Sequence, residues 1–196
     1  MLLQPPTPGD RLRVVALSGP ITDWEALTAG VALWEAEGYR VEVDVVREPW
    51  GYLAGRDADR RAALHRAWID PNCAAILCAR GGYGCARLLE GWVWPAGRPK
   101  WVIGFSDTTA LLWSLWSQGI PSLHGPLITT LAQESDASRQ RLWDAVAGRP
   151  LAPLQGTPWV SGQAEGWLLP ANLTVATHLI GTPHLPSLEG AILALE

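Results

Sequence analysis

The sequence contains no long hydrophobic run, and none of its apolar stretches approaches the ~20 residues that a transmembrane helix needs. It has no block of basic residues, and its formal net charge is −4, which argues against a nucleic-acid partner. Its first residues, MLLQPPTPGDRLR, lack a basic segment followed by an apolar core, so no secretory signal is visible. These absences predict a cytoplasmic protein that binds neither membrane nor nucleic acid.

Cysteine is also scarce. Cys73, Cys78 and Cys85 are odd in number and lack the spacing of a metal site, so we expect reduced thiols and no bound metal. The chain of 196 residues can form one domain with a sizeable core, or one domain plus part of another. Its 48% hydrophobic and 17% charged residues are an ordinary globular balance, and its twelve scattered tryptophans indicate packing.

Strand-like and helix-like segments alternate along the first 150 residues, and the central strands are apolar throughout. This order indicates a parallel sheet covered on both faces by helices. The predicted strands are residues 12–17, 39–45, 74–79, 101–103 and 120–123. The predicted helices begin near residue 22 and also span 57–69, 85–90, about 109–116 and 134–147.

The pattern of alternating strand-like and helix-like segments changes after residue 150. Residues 151–158 (LAPLQGTP) are typical of a linker, and a strand and turn, a short helix and a last apolar run follow. A piece of about forty residues is too small to close a core alone. We therefore predict an N-terminal domain over 1–150 and an incomplete C-terminal domain over 151–196, poorly packed from about residue 156.

The turn GFSDT follows a short apolar strand and leads into a helix. A serine on a tight turn between strand and helix is the layout of a nucleophile elbow, and the helix N-terminus favours negative charge there. The usual elbow has glycine two residues after the serine, where this chain has Thr108. The alternative is that Ser106 or Asp107 merely caps the helix.

A second turn, RGGYG, follows the strand at 74–79. Gly81 and Gly82 leave its backbone N–H groups open to a ligand, although a tight turn alone would also explain them. In parallel sheets, sites form outside the carboxyl ends of the strands. We therefore expect the two turns to lie together, with Ser106 facing the glycine pair.

Several short motifs occur in a fixed order along nearly the whole chain: SGP, RGGYG with ARLL, GFSDTTALL, HGP, the segment from Gly162 to Leu173, GTP and AILALE. In this the sequence resembles the LD-carboxypeptidases, a serine peptidase family that includes microcin-immunity peptidases. The resemblance implies a three-layer α/β/α N-terminal domain and a smaller, β-rich C-terminal domain. It also implies hydrolysis of an L,D peptide bond that removes the terminal D-alanine of murein tetrapeptides during peptidoglycan recycling, without metal or cofactor.

The resemblance also assigns residues. Ser106 matches the family nucleophile, and Glu196 matches the acid of its Ser-His-Glu triad. The main-chain N–H of Asp107, with one from the Gly81-Gly82 turn, would form the oxyanion hole, where negative charge develops in the transition state. The family's histidine belongs to a later segment. The 196-residue chain alone is therefore expected to be inactive or nearly so.

Three further residues are expected to contact the substrate: Tyr83, His124 and Asn172. The family's usual Gly-Gly-Asn is Pro170-Ala171-Asn172 here, which departs from the pattern. In the family, a histidine often follows the elbow threonine by a few residues, and this chain has Trp113 in that neighbourhood.

The other three histidines are expected to lie outside the site. We predict structural roles for His65 and His178 and a solvated side chain for His184. His124 is the histidine that could serve as a base within this chain.

The sequence also allows two other interpretations of the function. The chain could be a non-catalytic remnant that binds a murein peptide, or a glutaminase-like or general α/β hydrolase. An unpaired inner strand near the C-terminus would invite pairing with a second copy, so a homodimer is possible.

Overall fold

The computed structural model describes residues 3–196, and its centre is a sheet of five parallel strands in the order β2-β1-β3-β4-β5. The strands are β1 (Arg11–Val15), β2 (Arg40–Asp44), β3 (Cys73–Cys78), β4 (Trp101–Gly104) and β5 (Leu123–His124). All four neighbouring pairs run parallel, which confirms the predicted α/β class.

Seven α-helices and a second small sheet complete the described part of the chain. The helices are α1 (Trp24–Ala36), α2 (Asp57–Ile69), α3 (Cys85–Leu88), α4 (Thr109–Trp116), α5 (Ile128–Leu131), α6 (Asp136–Val146) and α7 (Leu173–His178). A 3-10 turn at Ser106–Thr108 leads into α4. Strands β6 (Trp167–Ala171) and β7 (Ala191–Leu195) pair in parallel as a two-stranded sheet. Within residues 3–196, no helix has the length and hydrophobicity to cross a membrane.

The two faces of the central sheet carry separate cores because successive side chains of a strand point to opposite sides. On one face Leu12 and Val14 pack in a cluster with residues of α1, α5 and α6. On the other face Val15 and Ile76 pack with residues of α2, α3 and α4. The result is the expected three-layer α/β/α arrangement.

Two strands differ from their predicted form. Strand β2 is the edge of the sheet; the predicted half-buried alternation holds for Tyr39, Val41 and Val45, which pack on the core, but is wrong at Val43, which is 42% exposed. Strand β5 was predicted at 120–123 but covers only Leu123–His124. Pro121 lacks an N–H and cannot donate to a ladder, which accounts for the late start of β5.

The C-terminal piece packs partly on the N-terminal core. Leu169, Ala171, Val175 and Leu179 are buried in the same cluster as α4, so the expected poor packing is wrong for the inner faces of β6 and α7. It is correct for residues 156–166, which are exposed and form neither helix nor strand.

Candidate active site

Ser106 lies just beyond the carboxyl end of β4, on the turn into α4. Its φ angle of 62° makes it the one non-glycine residue with positive φ among residues 3–196. This left-handed conformation costs on the order of 1 kcal/mol for an L-residue, and such outliers cluster at functional sites. Gly104 permits the turn, because a Cβ there would lie 2.7 Å from Thr108 Oγ1 and 2.8 Å from Cys78 Cβ.

The RGGYG turn contacts Ser106 directly. Strands β3 and β4 are hydrogen-bonded neighbours, so their following turns meet at one edge of the sheet, as expected. A Cβ placed on Gly81 would lie 3.2 Å from Ser106 Cβ and 3.3 Å from Ser106 Oγ. Gly82 has a φ of 120°, and its neighbour's carbonyl, Gly81 O, accepts from the N–H of Gly19 at 3.0 Å. Glycine is required here because backbone and serine pack closely.

Asp107 joins the two turns through its side chain. Its carboxylate is 4% exposed and accepts a hydrogen bond from the backbone N–H of Cys85, the first residue of α3, at 2.9 Å. Neither Ser106 nor Asp107 makes a side-chain cap for its own helix, so the capping alternative is wrong. Sequence reasoning missed this contact because it joins residues far apart in the chain.

Free backbone donors occur in both turns at Ser106. The N–H groups of Gly82 and Asp107 have no hydrogen-bond acceptor within the described part of the chain. Free N–H groups next to a hydroxyl can bind an oxygen that carries developing negative charge. The geometry therefore suits acyl transfer with Ser106 as the attacking group.

The buried thiols near Ser106 are poor competitors as nucleophiles. Burial and the charge of Asp107 raise the pKa of Cys78 to about 12, and burial raises the pKa of the Cys85 thiol well above its usual range. A protonated thiol is not the reactive form. Cys85 Sγ instead lies 3.2 Å from Ser18 Oγ in the core.

His124 occupies β5, in register with Gly104 of the neighbouring strand. Its Nδ1 atom is buried and has no partner in residues 3–196, and burial lowers the pKa of His124, while the charge of Glu196 opposes that effect. The imidazole is thus favoured in its neutral form, which can accept a proton. No histidine of the described residues is hydrogen-bonded to Ser106.

Glu196 is held by its backbone. Its N–H donates to Ala171 O at 3.1 Å, and its carbonyl accepts from the N–H of Leu173 at 3.0 Å. Its side chain is exposed, and its charge acts to raise the pKa of His124.

Asn172 and Tyr83 have different surroundings. Asn172 caps α7 by accepting from the N–H of Val175, and its own N–H donates to Thr109 Oγ1 at 3.0 Å. Tyr83 is 51% exposed and stands edge-on to Tyr52, with ring centroids 5.7 Å apart. The sequence analysis assigned no role to Tyr52.

The remaining histidines lie outside the site. His65 and His178 are exposed on α2 and α7. The prediction of a solvated His184 is wrong, since its Nδ1 lies 3.0 Å from Ser114 Oγ and its Nε2 lies 3.0 Å from Leu89 O.

A groove of about 580 Å³ begins at His124 and runs between α4 and β6. It is lined largely by apolar side chains, including those of Trp113, Trp116, Trp167 and Pro170. Trp113 Nε1 donates to Pro170 O at 3.0 Å, which ties the two walls together.

A strained serine after a parallel strand, facing a glycine turn with free N–H groups, is typical of α/β hydrolases. Residues 12–125 match the family described as the LD-carboxypeptidase N-terminal domain. The chain belongs to the LD-carboxypeptidase family.

The relatives carry matching names. A putative carboxypeptidase of Synechocystis sp. is 53% identical over 194 residues, covering 98% of this chain and 64% of its own. The structure of a muramoyltetrapeptide carboxypeptidase from Oxalobacter formigenes has a TM-score of 0.78 at 27% identity, covering 94% of this chain and 65% of that chain. The microcin C7 self-immunity protein MccF in complex with aspartyl sulfamoyl adenosine shares the fold, with a TM-score of 0.88 at 22% identity over 100% of this chain and 70% of that one. This chain spans slightly less than two thirds of the length of the first curated relatives, 64%, 65% and 62%.

Proposed function

We propose that this chain carries the nucleophile domain of a serine-type LD-carboxypeptidase that removes the terminal D-alanine from murein tetrapeptides in the cytoplasm. The observation that carries the proposal is the contact of Ser106 with the Gly81 turn, beside the free N–H groups of Gly82 and Asp107. Membership of the LD-carboxypeptidase family and the name of the Oxalobacter relative support the substrate class.

The proposed reaction proceeds through an acyl-enzyme. Ser106 Oγ loses its proton to a general base and bonds to the carbonyl carbon of the L,D peptide bond, while the carbonyl oxygen becomes an oxyanion held by backbone N–H groups. The C–N bond then breaks, and the D-alanine amine leaves with that proton. Water hydrolyses the ester by the same steps and regenerates Ser106.

The general base is the member of the triad that residues 3–196 do not supply in hydrogen-bond contact with Ser106. The family resemblance assigns the position of the acid to Glu196 and implies a histidine in a later segment. No histidine among residues 3–196 is hydrogen-bonded to Ser106. Because removal of the base alone costs ~10⁶ in turnover in a comparable hydrolase, we expect the 196-residue chain to release D-alanine very slowly by itself.

Substrate contacts are assigned to the rim of the site. Tyr83 is exposed beside Ser106's turn, and His124 lies on the adjacent strand at the end of the apolar groove. Asn172 is proposed to contribute its side-chain NH₂, since its Oδ1 is already used in capping α7. Residues 151–196 are proposed to belong to the C-terminal domain that the family resemblance implies.

Mass spectrometry of a murein tetrapeptide tests the proposal. The assay compares the 196-residue chain with a chain extended by the corresponding last third of the Synechocystis relative. We expect D-alanine release by the extended chain, loss of release in its Ser106→Ala variant, and little release by the short chain. Rapid release by the short chain that is lost in His124→Ala would show instead that His124 is the base.

A second candidate function is peptide binding without hydrolysis. It is favoured by the missing hydrogen bond between Ser106 and any histidine of the described residues. Isothermal titration calorimetry with the tetrapeptide separates the two, because a binding protein retains affinity in an extended chain that releases no D-alanine.

Self-association is proposed from the exposed apolar side chains of the small sheet. Trp167, Leu168 and Leu195 are 67%, 65% and 50% exposed there. Such a surface favours contact with another chain or domain, and a homodimer is one form it could take. Analytical ultracentrifugation of the wild type and Leu168→Glu would detect it as a concentration-dependent mass that the variant loses.

A further inference from the structure

A second pocket lies at the opposite end of the central sheet from Ser106. It has a volume of about 400 Å³ and sits where the parallel strands begin. Arg11, Arg40 and Cys73 are aligned at the starts of β1, β2 and β3. Lys100 immediately precedes β4. Since Ser106 follows the other end of β4, this pocket is distinct from the candidate active site.

The lining of this pocket is strongly cationic. Arg11, Arg40, Arg98 and Lys100 line it, and Asp10 is the one carboxylate that lines it among the described residues. This is unusual in a chain whose formal net charge is −4. The positive charge is therefore concentrated locally and is not a property of the whole surface.

The neighbouring carboxylates do not neutralise these cations. Arg13 Nη2 lies 2.8 Å from Glu42 Oε2 and 2.9 Å from Asp70 Oδ2. Both carboxylates are therefore already paired with Arg13, which does not line the pocket. Arg11 Nη1 shares Glu42 at 3.5 Å. Counting Arg13, Glu42 and Asp70 with the lining, five cations face three carboxylates, which leaves two positive charges in excess.

Three of the cations have unused hydrogen-bonding capacity. Arg40 and Arg98 have no carboxylate within 4.0 Å anywhere in residues 3–196. Lys100 is 3% exposed, and its ammonium donates to Asp70 O at 2.6 Å and Cys73 O at 2.9 Å. A lysine has three N–H donors, so one N–H of this buried group has no protein acceptor. Burial lowers the pKa of Lys100, and the nearby charge of Asp70 opposes that effect only in part, so a bound anion would further offset the cost of the buried charge.

We propose that this pocket binds a small phosphorylated polyanion, with Arg40, Arg98 and Lys100 as its principal ligands. Guanidinium groups match phosphate oxygens with paired donors, and a compact ammonium adds a point charge. The pocket is large enough for a diphosphate group. The site is independent of the proposed peptidase activity and needs no residue of the Ser106 turn.

Isothermal titration calorimetry with inorganic pyrophosphate at low ionic strength tests the proposal on the chain as it stands. We expect saturable binding of one pyrophosphate per chain, weaker binding of orthophosphate, and a loss of affinity as sodium chloride is added. Arg40→Gln and Arg98→Gln should each weaken binding about tenfold, the effect of losing one charge-assisted contact.

The matched control is Arg47→Gln, which removes the same charge beyond the carboxyl end of β2, where the guanidinium stacks on Trp24. It should change affinity less than about twofold, because a screened charge at that distance contributes little. Binding without saturation, or equal losses in Arg47→Gln and Arg98→Gln, would overturn the proposal. Lys100→Met should abolish binding if it folds, and the two arginine variants decide the question if it does not.

Discussion

The buried carboxylate of Asp107 offers the sharpest test of how the site is held together. Replacement by alanine removes the acceptor for the Cys85 N–H and leaves that donor buried at the start of α3. We expect Asp107→Ala to lower the free energy of unfolding and to loosen the RGGYG turn against Ser106.

The size of the effect follows from the contact. A hydrogen bond from a backbone N–H to a buried carboxylate contributes about 1.5–3 kcal/mol, and an unsatisfied buried donor costs about 1–3 kcal/mol. These terms overlap, so we expect a loss of about 2–3 kcal/mol. For a chain of this length each kcal/mol corresponds to roughly 2–4 °C, which gives a fall in Tm of about 4–12 °C. Asp107→Asn keeps a neutral acceptor and should lose about half as much.

Urea unfolding followed by tryptophan fluorescence measures the free energy, and amide hydrogen exchange at Cys85 reports the local opening. The control is Asp136→Ala, since that carboxylate is 96% exposed and pairs with Arg139 on the surface. It should lie within about 0.5 kcal/mol of the wild type. If Asp107→Ala also lies within that margin, or if Cys85 exchange is unchanged, the carboxylate does not tie the two turns together.

Three further outcomes follow from the same contacts. Gly81→Ala should push Ser106 away from the turn and lower D-alanine release by the extended chain at least about tenfold. The free energy of unfolding should change by only about 1–2 kcal/mol. A variant with full activity would refute the close contact. The pKa of Asp57 is held below its usual 3.8, chiefly by hydrogen bonds from Arg87, so its stabilisation is present above pH 4 and is lost as the pH falls through the folded-state value. Urea midpoints from pH 6 to pH 2 should therefore fall less steeply in Asp57→Asn. Arg60 is 1% exposed and donates to Gly84 O and Leu17 O, so Arg60→Leu should lower the unfolding free energy by about 2–4 kcal/mol in a thermal melt.

Much of the site's location could be predicted from the sequence, because it depends on periodicity and strand order. Apolar strands separated by helices imply a parallel sheet, and its carboxyl ends bring the turns at Gly81 and Ser106 together. The left-handed backbone of Ser106 was also in keeping with a serine on a tight turn.

Contacts between distant side chains could not be predicted in this way. The bond from Cys85 to Asp107 and the bridge from His184 to Ser114 and Leu89 depend on how α3, α4 and the last loop pack. Local pattern allowed a helix cap for Ser106 or Asp107 and predicted a solvated loop for His184. Tertiary packing supplied other partners for both, in keeping with the rule that most buried polar groups are hydrogen-bonded.

The RGGYG turn positions its backbone through three contacts that come from different parts of the chain. Gly19 donates to Gly81 O, Asp107 accepts from Cys85, and Arg60 donates to Gly84 O. A Cβ on Gly84 would lie 2.6 Å from Leu53 Cδ2, so the turn also lacks room for side chains at its far end. Each of these contacts fixes a peptide group, and the side chain of Arg80 anchors the start of the turn separately by donating from Nη1 to Pro20 O at 2.9 Å. The turn therefore presents N–H groups at fixed positions beside Ser106, as preorganised stabilisation of an oxyanion requires.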